Sequence, residues 1–192
     1  MKHKTRTLFH FTCLFHLSHI VAQGLTRGDL AGTNRRRNVV SLTKNPEPTE
    51  ALWGGELCGP VDKLKIRITA QVDYGERLMR WRDALDKFGC PRSIQRRLNP
   101  CNEGHNWMCY FGAIPPSALS FEARSYSGVY RSLAGDRLAE LVNEIEIERK
   151  KFDCRNSDGY SFIDLHNGNH DSFLIDGPQR ELYLQEHHRR AA

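Results

Sequence analysis

The 192-residue chain has room for one domain plus an N-terminal extension, and 39% apolar with 27% charged residues is the balance of a globular protein that can build a core. The formal net charge of +5 lies entirely in residues 1–50, while the 20 basic and 20 acidic residues beyond them cancel. A neutral domain gives no support to general polyanion attraction and argues against nucleic acid as a partner.

Met1 to Gln23 has the layout of a secretory signal peptide: Lys2, Lys4 and Arg6 precede the mostly apolar Leu8 to Ala22, and Ala22 and Gly24 put small residues near a cleavage point. His10, His16 and His19 interrupt the run. It is shorter than the roughly 20 apolar residues that span a bilayer, and three imidazoles would be costly in a buried helix. Export is therefore the expectation, and no later stretch could cross a membrane once the signal is removed. Residues 24–50 read as a disordered leader, polar and carrying Pro46 and Pro48, with Val39-Val40 as its only apolar pair. Within it, Arg35, Arg36 and Arg37 admit three readings: cleavage at Arg36 and Arg37 by a dibasic-specific protease, a cluster for translocation into a host cell or for nuclear targeting, and a solvated charge run. Residues 51–192 then form a single domain.

With Cys13 lost alongside the signal, Cys58, Cys90, Cys101, Cys109 and Cys154 would meet an oxidising compartment, where pairing is expected. Five thiols give two bridges and one free thiol, or an intermolecular bridge. Their spacing leaves the pairing open, and each bridge would add about 2–4 kcal/mol. No C-x-x-C pair occurs, and His105 lacks the paired spacing of zinc modules, so neither a metal nor another cofactor is expected.

Leu64 to Tyr74 alternates apolar and polar residues, the period of a strand with one buried face. Leu78, Trp81, Leu85 and Phe88 then recur at helical spacing, with Asp73 and Glu76 as a capping box and Gly89 and Pro91 as the stop. From Pro91 to Asn99, Ile94 and Leu98 predict a short helical turn. Arg92, Arg96 and Arg97 sit around it, and Arg77, Arg80 and Arg82 are close in sequence. This cluster reads either as an anion contact or as a solvated face balanced by Asp83 and Asp86, and the solvated face is the simpler reading. Asn106 to Ala113 predicts a strand with Trp107, Cys109 and Phe111 on one face. Pro115 and Pro116 make a turn, and Leu119 to Ser125 a further strand with Glu122 and Arg124 outward. A loop over Gly128 to Gly135 precedes a helix capped by Asp136, with Leu138, Leu141, Val142 and Ile145 as its apolar stripe.

Tyr160 to Leu165 and Ser172 to Ile175 flank Asn167-Gly168, a hairpin turn signal, and Leu182 with Leu184 marks a short last strand. His166 and His170 bracket the turn beside Asp164 and Asp171. Two imidazoles there could act as acid and base or hold a metal. Exposed polar residues at a hairpin tip are the simpler reading, and the spacing matches no metalloprotease motif.

The element order predicts an α+β fold: an antiparallel sheet with two main helices on one face, split β-α-β-like and stabilised by disulfides. A signal peptide over Met1 to Gln23, a loose leader with Arg35 to Arg37, and a compact domain with five cysteines resemble the small secreted effectors of plant-associated fungi. That resemblance implies a secreted interaction protein that binds a host or extracellular protein. The alternative is a small secreted ribonuclease or other hydrolase, in which His166 or His170 works with Glu122 while Arg124 or Arg97 meets the phosphate.

Overall fold

The structure is a computed structural model that describes residues 5–26, 28, 30, 31, 33, 38–47, 63–99, 101–125 and 128–155. Strand β1 (Thr5–Thr12) passes through a 3-10 turn (Leu14–His16) into helix α1 (Leu17–Gln23). Then come β2 (Val39–Thr43), β3 (Ile66–Asp73), β4 (Leu78–Arg80), α2 (Trp81–Lys87) and α3 (Arg92–Arg97). The remaining elements are β5 (Trp107–Phe111), β6 (Leu119–Arg124), β7 (Tyr130–Leu133) and α4 (Gly135–Arg155). The strands form one antiparallel sheet in the order β4-β5-β2-β1-β3-β6-β7. Both edge strands are short, which limits the unpaired backbone offered to another chain. No helix among the described residues is long and apolar enough to cross a membrane.

Alternation along β3 sends Ile66, Ile68, Ala70 and Val72 into the core and leaves Arg67, Thr69, Gln71 and Asp73 on the opposite face, as the sequence predicts. Tyr74 lies past the strand end, exposed, with the Arg6 guanidinium 4.8 Å from its ring centroid. One core covers the face formed by Leu8 of β1, Val40 and Leu42 of β2, Met108 of β5 and Phe121 of β6. It is closed by Leu17 and Ile20 of α1 and by Leu141 and Ile145 of α4. A second core lies on the other face at the β4-β5-β2 end, where Val39 and Cys109 meet Trp81, Ala84 and Leu85 of α2. Helices therefore sit on both faces rather than on one, because β2 and β5 are apolar on both sides.

Several expectations change. The segment expected to leave as a signal peptide supplies the central strand, and Leu8, Phe11, Leu14, Leu17 and Ile20 are all buried. The expected disordered leader contains β2, whose five residues pair with β5 from Val39 opposite Phe111 to Thr43 opposite Trp107. A boundary at residue 51 thus cuts across one sheet. The helix expected from a capping box at Asp73 and Glu76 starts only at Trp81, after an extended Arg80 with no side-chain cap. Leu78 to Arg80 pair with β5 instead, and Phe111 N–H donates to the Arg77 carbonyl at 2.8 Å, so ladder bonds override the helical spacing. The loop expected over Gly128 to Gly135 contains β7, paired with β6. Disulfide stabilisation is absent among the described residues: none of Cys13, Cys90, Cys101 and Cys109 is in a disulfide. The hairpin around Asn167-Gly168, the strand at Leu182 and Leu184, and Cys58 lie outside the described residues, as does the side chain of Cys154 on the α4 backbone.

Candidate binding cavities

The hydrolase alternative gives Glu122, on the outward face of β6, an acid–base role. Arg67 occupies Glu122 instead: its Nε donates to Oε2 at 2.7 Å and its Nη2 to Oε1 at 2.9 Å. Nη1 donates to the Pro46 carbonyl and to Glu47 Oε1, each at 2.9 Å, and the Tyr130 ring lies 4.3 Å from the guanidinium carbon. The hydrogen bonds to Glu122 raise the Arg67 pKa above its ordinary value, burial acts the other way, and the charge of Glu122 and contact with Glu47 add to the rise. With both carboxylate oxygens engaged in a bidentate pair, Glu122 binds β6 to β3. Arg124 stands two residues along the same face, opposite Tyr130 of β7. His166, His170, Arg36 and Arg37 lie outside the described residues.

Four-residue spacing puts Arg92 and Arg96 on one side of α3, and Arg82 and Asp86 on one side of α2. A tight turn joins the two helices. Gly89 takes φ +72°, Cys90 N–H donates to the Leu85 carbonyl at 2.9 Å, and Pro91 starts α3 with its fixed φ. The turn folds both faces around a cavity of about 400 Å³ lined by Arg82, Arg92, Arg96, Asp86, Gln95 and Trp81. Arg97 is exposed on α3 and is not among the lining residues. Buried Gln95 donates through Nε2 to Asp86 Oδ1 at 2.7 Å and to the Cys90 carbonyl at 3.0 Å. Asp86, the acid among the lining residues, is thereby partly committed. Among the described residues, none of the three guanidinia is paired with a carboxylate. The edge-on contact of Trp81 with Trp107, at 4.9 Å between ring centroids, fixes the cavity floor to β5. The sequence identified this cluster and favoured a solvated face; the convergence depends on the turn geometry.

A second cavity, of about 480 Å³, lies between β1 and α1 and is lined by His10, Thr12, Phe15, His16, His19, Ile20 and Leu25. Its lower wall is set by Gly24, where α1 stops at φ +80°; a Cβ there would collide with the Ile114 carbonyl oxygen. Leu25 and Ile114 exchange backbone hydrogen bonds of 2.9 and 3.0 Å just beyond it. Sequence reasoning missed this cavity because it assigned His10, His16 and His19 to a removable segment. The three-residue step from His16 to His19 at the start of a helix was the available signal.

The buried thiols of Cys13, Cys90 and Cys109 behave as small apolar groups. Burial pushes Cys109 up to about 12, and it raises Cys13 and Cys90 as well, the last with help from Asp86. No three His, Cys, Asp or Glu side chains gather into a metal site among the described residues.

No protein-family model matches the chain, and neither the curated proteins nor the solved structures include one that resembles it.

Proposed function

We propose that the chain is an interaction protein that captures an acidic side chain, phosphorylated or carboxylate, of a partner protein in the cavity between α2 and α3. The observation that carries this reading is the convergence of Arg82, Arg92 and Arg96 on one concavity with a single, already engaged carboxylate. Guanidinium groups offer forked donors that match phosphate and carboxylate oxygens, and the supporting turn and Trp81 hold the helices in place before the ligand arrives. An interaction role is favoured over a hydrolytic one because Glu122, the carboxylate a hydrolytic set requires, is held at both oxygens by Arg67. A partner in the host or the extracellular space belongs to the same proposal. Reaching it requires a route that retains Thr5–Gln23, since the sheet includes them.

Calorimetric titration of the full chain with a phosphoserine peptide, its unphosphorylated form and a glutamate-rich peptide tests this. Saturable, salt-sensitive binding of the acidic peptides is expected, and the Arg92→Ala, Arg96→Ala double variant should weaken it by about tenfold or more for each guanidinium in contact. Failure of both acidic peptides to bind, or undiminished binding by the double variant, would overturn it.

A further inference from the structure

The cavity between β1 and α1 holds two imidazoles with unused hydrogen-bonding capacity. His10 Nδ1 lies 2.8 Å from the Ser41 carbonyl oxygen. A carbonyl only accepts, so Nδ1 carries the proton and Nε2 of the neutral ring is left as an acceptor. Burial lowers the pKa of His10, the Ser41 bond opposes that shift, and His16 and Lys63 reinforce it, so the neutral ring is the form present near neutral pH. His19 Nε2 is buried without any hydrogen-bond partner. A buried polar atom left in that state is destabilising and calls for an occupant. Phe15, Ile20 and Leu25 supply the apolar remainder, and Thr12 and Thr26 add hydroxyls at the wall. None of the described lining residues carries a carboxylate, a lysine or an arginine.

We infer that this cavity is a binding site for a small uncharged hydroxy-aromatic molecule, whose hydroxyl donates to His10 Nε2 while its ring packs on Phe15, Ile20 and Leu25. A cavity of about 480 Å³ falls within the span used for small ligands. The acceptor on His10 demands a donor from the ligand, and the apolar wall favours a flat ring over a sugar. The unpartnered nitrogen of His19 provides the second polar anchor, either to the same hydroxyl or to a second substituent. This site is independent of the arginine cavity, which lies at α2 and α3.

The test is an NMR titration of the full chain with phenol and, separately, with fluorobenzene, which has a similar shape but no donor. Phenol is expected to bind at millimolar concentration or below, to shift the His10 and His19 ring signals, and to bind about tenfold more tightly than fluorobenzene. His10→Leu should abolish that preference while leaving the weaker, shape-driven binding of both rings. If that variant does not fold, the phenol-to-fluorobenzene ratio in the unmodified chain still decides the matter. Equal affinities, shifts confined to residues away from the cavity, or no binding of either compound because the cavity holds only exchangeable water would overturn the assignment.

Discussion

Deleting Met1–Gln23 removes the central strand of the sheet. β1 pairs with β3 through eight registered residues, from Thr5 opposite Asp73 to Thr12 opposite Ile66, and its loss strips β3 and β2 of a neighbour on that side. Leu8, Phe11, Leu14, Leu17 and Ile20 are each at most 7% exposed. Burying a side chain of that size contributes about 1.5–3 kcal/mol, so these five contribute about 7–15 kcal/mol together. The net stability of a domain is about 5–15 kcal/mol, and the truncated chain is therefore expected to show no cooperative unfolding. Leu8→Ala is the gentler form of the same perturbation: Leu8 is 1% exposed opposite Ala70, and truncating it should cost about 2–5 kcal/mol. Urea unfolding of the full chain, Leu8→Ala and the truncated chain, followed by far-ultraviolet circular dichroism, reads both effects. A truncated chain with the full chain's midpoint and denaturant slope would refute the reasoning, because the slope tracks the surface exposed on unfolding. An unchanged midpoint for Leu8→Ala would refute it independently.

Arg67→Ala leaves Glu122 without its bidentate partner in a site where the two side chains are 13% and 25% exposed; a loss of about 2 kcal/mol is expected in chemical denaturation, between the values for surface and fully buried pairs. Gly24→Ala places a Cβ against the Ile114 carbonyl at a positive φ and should cost about 2 kcal/mol or more, seen as a lowered thermal midpoint. The depressed pKa of His10 means that the unfolded chain binds a proton first as pH falls, so stability is unaffected above its ordinary value of 6.5, decreases below it, and levels off beneath the folded-state pKa. Denaturation midpoints across that range should fall accordingly, and His10→Gln, which can still donate to Ser41, should flatten the slope. Alkylation followed by mass spectrometry should label exposed Cys101 rapidly in the native chain and Cys109, buried and shifted to about 12, only once unfolding is induced.

The elements legible in the sequence are those whose two sides differ. β3 alternates, and α4 carries Leu138, Leu141, Val142 and Ile145 as a stripe that meets the core, so both follow from residue spacing. β1 shows no such contrast. Leu8 and His10 face α1, while Phe9 and Phe11 face the opposite side, and the run with α1 behind it has the hydropathy of an export signal. β2 is five residues long and gains its stability from partners far along the chain, which no local pattern records. The expectation of disulfides rested on the compartment inferred from that same segment. With Cys13 retained the chain has six cysteines, and Cys13 and Cys109 are buried core residues that pack without a bridge. For the arginine cavity the spacing of Arg92 and Arg96 was visible, but their approach to Arg82 depends on Gly89 and Pro91.

The register also divides the sheet into two parts. β2 shares five paired residues with β5 but a single one, Phe9 opposite Thr43, with β1, whereas β1 and β3 share eight. The β1–β2 seam is the thin place in the ladder. Three features compensate for it. Val40 and Leu42 reach into the same core as Leu8 and Ile68, the Leu25–Ile114 bridge ties the end of α1 to the chain beyond β5, and His10 donates across the seam to Ser41. The histidine cavity opens beside this seam, and the arginine cavity belongs wholly to the β4-β5-β2 part through Trp81 and Trp107. A ligand that occupied His10 and His19 would therefore brace the junction between the two parts, while an acidic group bound by Arg82, Arg92 and Arg96 would act on one part alone. The two sites are thus distinguishable by what they stabilise: the first the joint of the sheet, the second the packing of α2 and α3 on β5.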